Sequence, residues 1–254
     1  MKTMFVSLIV FFLPLIKAQN FNGIETIVPT SLSQFQCLHN QELDYVFLRV
    51  GKADGTIDNI GLQNINNAYQ AGFNEFGVQI VPFFVPNLNL NATSQVVAVK
   101  AALDNTTIKF DYLFADTTAT VWSSDKTQNQ QFLTALHYAI WNDGVNNNNL
   151  FVPGYYSSYS KWTQAFGTNF TVDPDVQPSL LWTQVTGYAN ATGFQQFGGW
   201  CKPSYHLWQP NANLCGVNLG QIWGDPYANY FDKKRQSKRN QALKKFKQTM
   251  MEEL

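Results

Sequence analysis

The sequence predicts a single α/β domain, an incomplete (β/α) barrel of about five helices and eight strands. Short runs rich in Val, Ile, Phe, Tyr and Leu recur without clean polar alternation, which suits strands buried on both faces of a parallel sheet. The first five runs alternate with helical patterns, whereas the last three follow one another through turn-rich loops. The helical layer should therefore stop partway round. Charged residues make up 13% of the 254-residue chain and aromatic residues 15%, which provides one large core with rings left over for a binding surface.

Gly23–Val28 is the first strand, and Pro29-Thr30-Ser31 opens a helix through Cys37 with Thr30 or Ser31 as N-cap. Tyr45–Val50 is the second strand. The helix over Asn59–Gln70 is stopped by Ala71-Gly72. Phe76–Phe84 and Ser94–Leu103 form the third strand and helix, and Phe110–Asp116 the fourth strand. Lys126–Asn142 is the clearest helix: Phe132, Leu136, Ala139 and Ile140 lie on one stripe, and the pattern ends before Gly144. Leu150–Tyr156 leads into a short helix over Tyr159–Phe166. Leu180–Val185, His206–Gln209 and Val217–Trp223 complete the strands. No internal repeat interrupts this order, and Asn146–Asn149 is the one low-complexity patch.

The ends differ from the body. Lys2 and the apolar stretch Met4 to Ile16 read as a signal peptide cleaved after Ala18, which predicts a secreted chain with no membrane span once it is removed. Sequons at Asn91, Asn105, Asn169 and Asn190 fit that route. The domain then runs over residues 19–230. Residues 231–254 carry eight of the seventeen Lys and Arg but three of the seventeen Asp and Glu, a basic tail suited to anionic surfaces on an otherwise mildly acidic body. In an oxidising compartment Cys37, Cys201 and Cys215 allow one disulfide and one remaining thiol, with three pairings open. His39, His137 and His206 lie far apart, without the spacing of metal ligands, so they read as structural or surface imidazoles. There is no glycine-rich phosphate loop and no nucleophile elbow. No cofactor and no nucleic-acid partner is therefore expected.

The segments GIETIVPTSLSQFQCL, NINNAYQAGF, PGYYSSYSKW, FQQFGGWCKP and LCGV, in that order over about residues 23–224, resemble the family 25 glycoside hydrolases. They are most similar to the secreted invertebrate and protist branch of muramidase-type lysozymes. The resemblance implies a TIM-barrel-like fold, bacterial peptidoglycan as the glycan partner, and a Cys37–Cys215 disulfide. It also implies acidic residues at strand ends. On the first strand Glu25 stands where the family has Asp. On the third, Gly77 and Gln79 replace an Asp and a Tyr, and on the last, Gly220 and Ile222 replace an Asp and an Asn. On the fourth strand the family's Asp-x-Glu falls on Ala115 and Thr117 when registered on Trp122-Ser123. A one-residue slip places Asp116 and Thr118 there instead. Tyr156, Trp182 and Trp208 remain as aromatic candidates for sugar stacking.

Phe110 to Trp122, FDYLFADTTATVW, is thus a buried strand whose end carries one carboxylate where glycoside cleavage needs two groups. Strand alternation puts 115 and 117 on one face and Asp116 on the other. The expected function is a lysozyme-like protein of innate defence with weak or no muramidase activity that still binds wall glycan. The alternative is an atypical hydrolase using Glu25 and Asp116, with Asp54 or Asp125 as a third group from a loop.

Overall fold

The computed structural model describes residues 21–74, 79–141, 151–175 and 177–225. The signal segment, the start of the third strand at Phe76, the Asn146–Asn149 patch, Leu150 and the basic tail lie outside the described residues. Chain order is β1 (Phe21–Thr26), α1 (Leu32–His39), β2 (Tyr45–Gly51), α2 (Asn59–Gln70), β3 (Gln79–Phe84), α3 (Ala92–Asp104) and β4 (Tyr112–Asp116). It continues through α4 (Lys126–Trp141), β5 (Val152–Ser157), α5 (Tyr159–Ala165), β6 (Ser179–Trp182), β7 (Tyr205–Leu214) and β8 (Val217–Gly224).

The eight strands close into a barrel in sequence order. The sheet itself is therefore complete, and among the described residues no helix follows α5. Nor is the sheet parallel throughout, as the apolar runs suggested: β8 pairs antiparallel with both β7 and β1. Its direction follows from the turn. Leu214 pairs with Val217 across Cys215-Gly216, whose φ values of 54° and 73° are both positive, as a type I′ hairpin requires. A two-residue loop joins only antiparallel strands. β7 extends to Leu214, past the expected end at Gln209, because it continues as one arm of this hairpin.

Local sequence explains the helix starts. Ser31 closes a capping box with Gln34, while Asp58, Asn91 and Ser158 cap α2, α3 and α5 through side-chain oxygens. Strand residues then divide by parity. Leu113, Ala115, Val46, Leu48, Tyr155 and Leu180 pack outward beneath the helices. Tyr45, Phe47, Val81, Phe83, Tyr112, Phe114, Tyr156, Leu181, Tyr205 and Ile222 fill the interior. That interior is a packed aromatic plug: the Phe114 ring meets Phe47, Tyr156 and Tyr205 edge-on, with centroids 5.3, 6.0 and 5.9 Å away. Gly154 makes room for it, since a Cβ there would lie 2.4 Å from the ring. Cys37 in α1 is bonded to Cys215 at the hairpin tip, bridging a separation of 178 residues. A loop of that size corresponds to about 5 kcal/mol on the chain-entropy estimate. Cys201 is exposed and forms no disulfide.

Candidate functional site

Strands β1 to β6 point their C-terminal ends to one rim, where loops and strand-end side chains form the mouth of such barrels. Glu25 is the penultimate residue of β1 and Tyr156 of β5; Asp116 ends β4, and Arg49 lies near the end of β2. Within the inward parity set by Phe47, Phe114 and Tyr156, these four side chains converge above the aromatic plug. β4 turns Ala115 into the outer layer, and Thr117 is buried with its hydroxyl donating to the Tyr156 carbonyl at 2.6 Å. The register that puts Ala115 and Thr117 at the acid positions therefore points both away from the mouth. In the neighbouring register Asp116 shares the inward parity of Phe114, and Thr118, past the end of β4, bonds to Asp116. Parity decides this, because a one-residue slip exchanges the faces of a strand.

The two carboxylates have different surroundings. Asp116 Oδ1 accepts from Thr118 N (2.8 Å), Thr118 Oγ1 (2.6 Å) and Ala119 N (3.2 Å). Burial raises the Asp116 pKa, while these bonds and the Arg49 charge pull it back. Glu25 has no comparable set of donors: its Oε2 is buried without a hydrogen-bond partner. Burial and then the Asp116 charge push Glu25 up to about 8, against smaller opposing effects of the Tyr156 hydroxyl and Arg49. Of the pair, Glu25 is the group that keeps its proton at neutral pH, because burial and the Asp116 charge both favour its neutral form. Tyr156, 2% exposed, is held well above its ordinary pKa by burial and by both carboxylates, with its Oη turned to Glu25. Arg49 is fixed from behind: its Nε and Nη2 each reach Asp58 Oδ2 at 2.8 Å. The sequence reading missed Arg49, although a lone charge inside the apolar run YVFLRVG was a usable signal.

Other candidate positions sit as follows. Gly220 is the β8 partner of Glu25, and a Cβ there would lie 2.6 Å from Leu207 Cδ1. Ile222 belongs to the interior plug. Gln79 is the first residue of β3, at the opposite end of the barrel, and its Nε2 reaches Asp111 at 3.5 Å; Gly77 lies outside the described residues. Asp54 and Asp125 are occupied as local caps, on Thr56 and on Thr127 and Gln128. Trp182 is 1% exposed, with His206 stacked on it at 4.2 Å and Phe194 against it edge-on. Neither Trp182 nor Tyr156 presents a free ring face. Trp208 is half-buried at a bulge where β7 gains one residue between Leu207 and Gln209, a feature that re-aims a side chain.

His137 and His206 are buried structural groups. His137 bonds Tyr155 Oη through Nδ1 at 2.9 Å, faces Asp173, and is pulled down to about 4 by burial. His206 lies between the carbonyls of Asn190 and Gln184. Asn91, Asn105, Asn169 and Asn190 are all exposed. Among the described residues no cluster of three or more His, Cys, Asp or Glu could hold a metal ion, and no helix is long and apolar enough to cross a membrane.

A family profile described as lysozyme-like protein 1 matches residues 17–208. Lysozyme-like protein 5 of Caenorhabditis elegans is 27% identical over 223 residues, covering 86% of this chain and 97% of that protein. Probable GH family 25 lysozyme 4 of Dictyostelium discoideum is 25% identical over 217 residues, covering 85% and 96%. Among solved structures, the bacterial lysozyme of Streptomyces coelicolor aligns with a TM-score of 0.61 at 12% identity, over 82% of this chain and 93% of that one. The muramidase of Trichobolus zukalii aligns with a TM-score of 0.60 at 10% identity, over 81% and 93%. These two structures share the fold.

Proposed function

The chain belongs to the lysozyme-like protein 1 family of family 25 glycoside-hydrolase lysozymes, and from that premise we propose a secreted protein of innate defence that engages bacterial peptidoglycan glycan with weak or no muramidase activity. One observation carries the second half. The proton-donating Glu that the resemblance calls for falls on Thr117 or, with the one-residue slip, on Thr118, whose hydroxyl is already bonded to Asp116. Glycoside cleavage needs an acid for the leaving oxygen and a second carboxylate to activate water or attack the sugar. Losing a positioned acid typically costs ~10²–10⁴ in rate. The signal segment 1–18 and the four exposed sequons support secretion, and the basic tail 231–254 supports contact with anionic surfaces. Half-buried Trp208 is the aromatic best placed to contact sugar.

A second reading has its own support. A Glu25 held protonated at neutral pH beside Asp116, whose carboxyl accepts three hydrogen bonds, makes a two-carboxyl pair of the kind glycosidases use, so an atypical residual hydrolase is the alternative. Purified mature protein mixed with peptidoglycan separates the two. Sedimentation with the insoluble wall without loss of turbidity supports the binding role. Clearance that Glu25→Gln abolishes overturns it in favour of the hydrolase.

A further inference from the structure

We propose that the barrel mouth is a subsite for a sugar carrying a free 2-ammonium group, an N-deacetylated amino sugar; this rests on the glycan binding proposed above. The mouth is short of cationic donors. Glu25 Oε2 and Tyr156 Oη are both buried and, each acting on the other, have no further hydrogen-bond partner. Glu25 feels the Asp116 charge and the Tyr156 hydroxyl, and Tyr156 feels both carboxylates, so the three groups form one cluster. The cation beside them is committed elsewhere, because Nε and Nη2 of Arg49 both bind Asp58, and its charge is the weakest influence on Glu25 and Asp116.

Glu25 and Asp116 each keep part of their surface accessible, so a ligand can reach them from the rim. An acetamide brings one N–H, one acceptor oxygen and no charge. An ammonium brings three donors and a positive charge, matching the Asp116 carboxylate, the Tyr156 oxygen and a Glu25 that gives up its proton on binding. Its charge opposes the burial and the Asp116 charge that hold the proton on Glu25, so binding drives that proton to solvent and leaves the Glu25 carboxylate beside the ligand.

The test is isothermal titration of the full chain with glucosamine tetrasaccharide and with its fully N-acetylated counterpart, near neutral pH, in buffers of different ionisation enthalpy. The free-amine sugar is expected to bind about tenfold or more tightly, on the strength of a charge-assisted bond, with proton release. Glu25→Gln with Asp116→Asn should abolish both the preference and the proton release. Should that variant not fold, the wild-type preference and proton release decide alone. Equal or tighter binding of the acetylated sugar overturns the subsite while leaving glycan binding intact; no binding of either overturns both. Co-sedimentation with chemically deacetylated sacculi but not insoluble chitosan assigns wall glycan as the source of the amine, and the reverse assigns a chitosan-type polymer. Sedimentation with neither overturns the proposal.

Discussion

Replacing Glu25 with Gln should stabilise the protein at neutral pH and leave it unchanged in acid. The folded-state pKa of Glu25 is raised from 4.5 to about 8. Below pH 4.5 the group is neutral in both folded and unfolded chains and contributes nothing. As pH rises from 4.5 towards 8 the unfolded chain ionises while the folded one retains its proton, so stability falls across that window and stays reduced above it. At pH 7 the gap of about 2.5 pH units corresponds to an upper bound of about 3 kcal/mol at 1.36 kcal/mol per unit. Gln keeps the size and neutrality of the protonated acid and removes the ionisation. Urea denaturation of wild type and Glu25→Gln at pH 4 and pH 7 measures the effect. Coincident curves at pH 4, with the variant more stable at pH 7, support the reasoning. A variant equally or less stable at pH 7, or a difference independent of pH, refutes it.

Gly154→Ala should lower stability by about 1–3 kcal/mol in chemical denaturation, because its Cβ would meet the Phe114 ring at 2.4 Å in a plug that cannot yield cheaply. Changing both Cys37 and Cys215 to Ser should reduce unfolding free energy by about 2–5 kcal/mol, and adding reductant to the wild type should reproduce most of the loss. Trp208→Ala should weaken sedimentation with peptidoglycan, by about 1–3 kcal/mol if the ring stacks on sugar, with an unchanged denaturation midpoint. Trp182→Ala should instead lower the midpoint, since that ring is wholly enclosed between His206 and Phe194.

The strands and helices were legible because apolar runs, caps and stops are local: Asn59–Gln70 and the start of Lys126–Trp141 fall where periodicity and capping place them. The eight-stranded barrel was legible as well, but the reversal of β8 was not. It depends on a Cys-Gly turn with two positive φ values, and Cys rarely announces that conformation. At the site, Glu25 and Asp116 could be named from the sequence. Which of β4's two faces meets the mouth required the pairing of Asp116 with Tyr156 in the sheet, since a short buried run such as Tyr112–Asp116 is apolar on both sides. For the same reason Trp182 read as a stacking platform: its position at a strand end says nothing about the ring covering it from the next strand. Arg49 stayed hidden because its partner, Asp58, lies on α2.

Release of new reducing ends from purified sacculi, by wild type beside Thr118→Glu and Glu25→Gln, tests most directly whether the mouth lacks a competent proton donor. Wild type should remain near background and Thr118→Glu should rise above it, by up to the ~10²–10⁴ that a positioned acid supplies. Wild-type cleavage at the rate of an active lysozyme, lost in Glu25→Gln, would contradict the account.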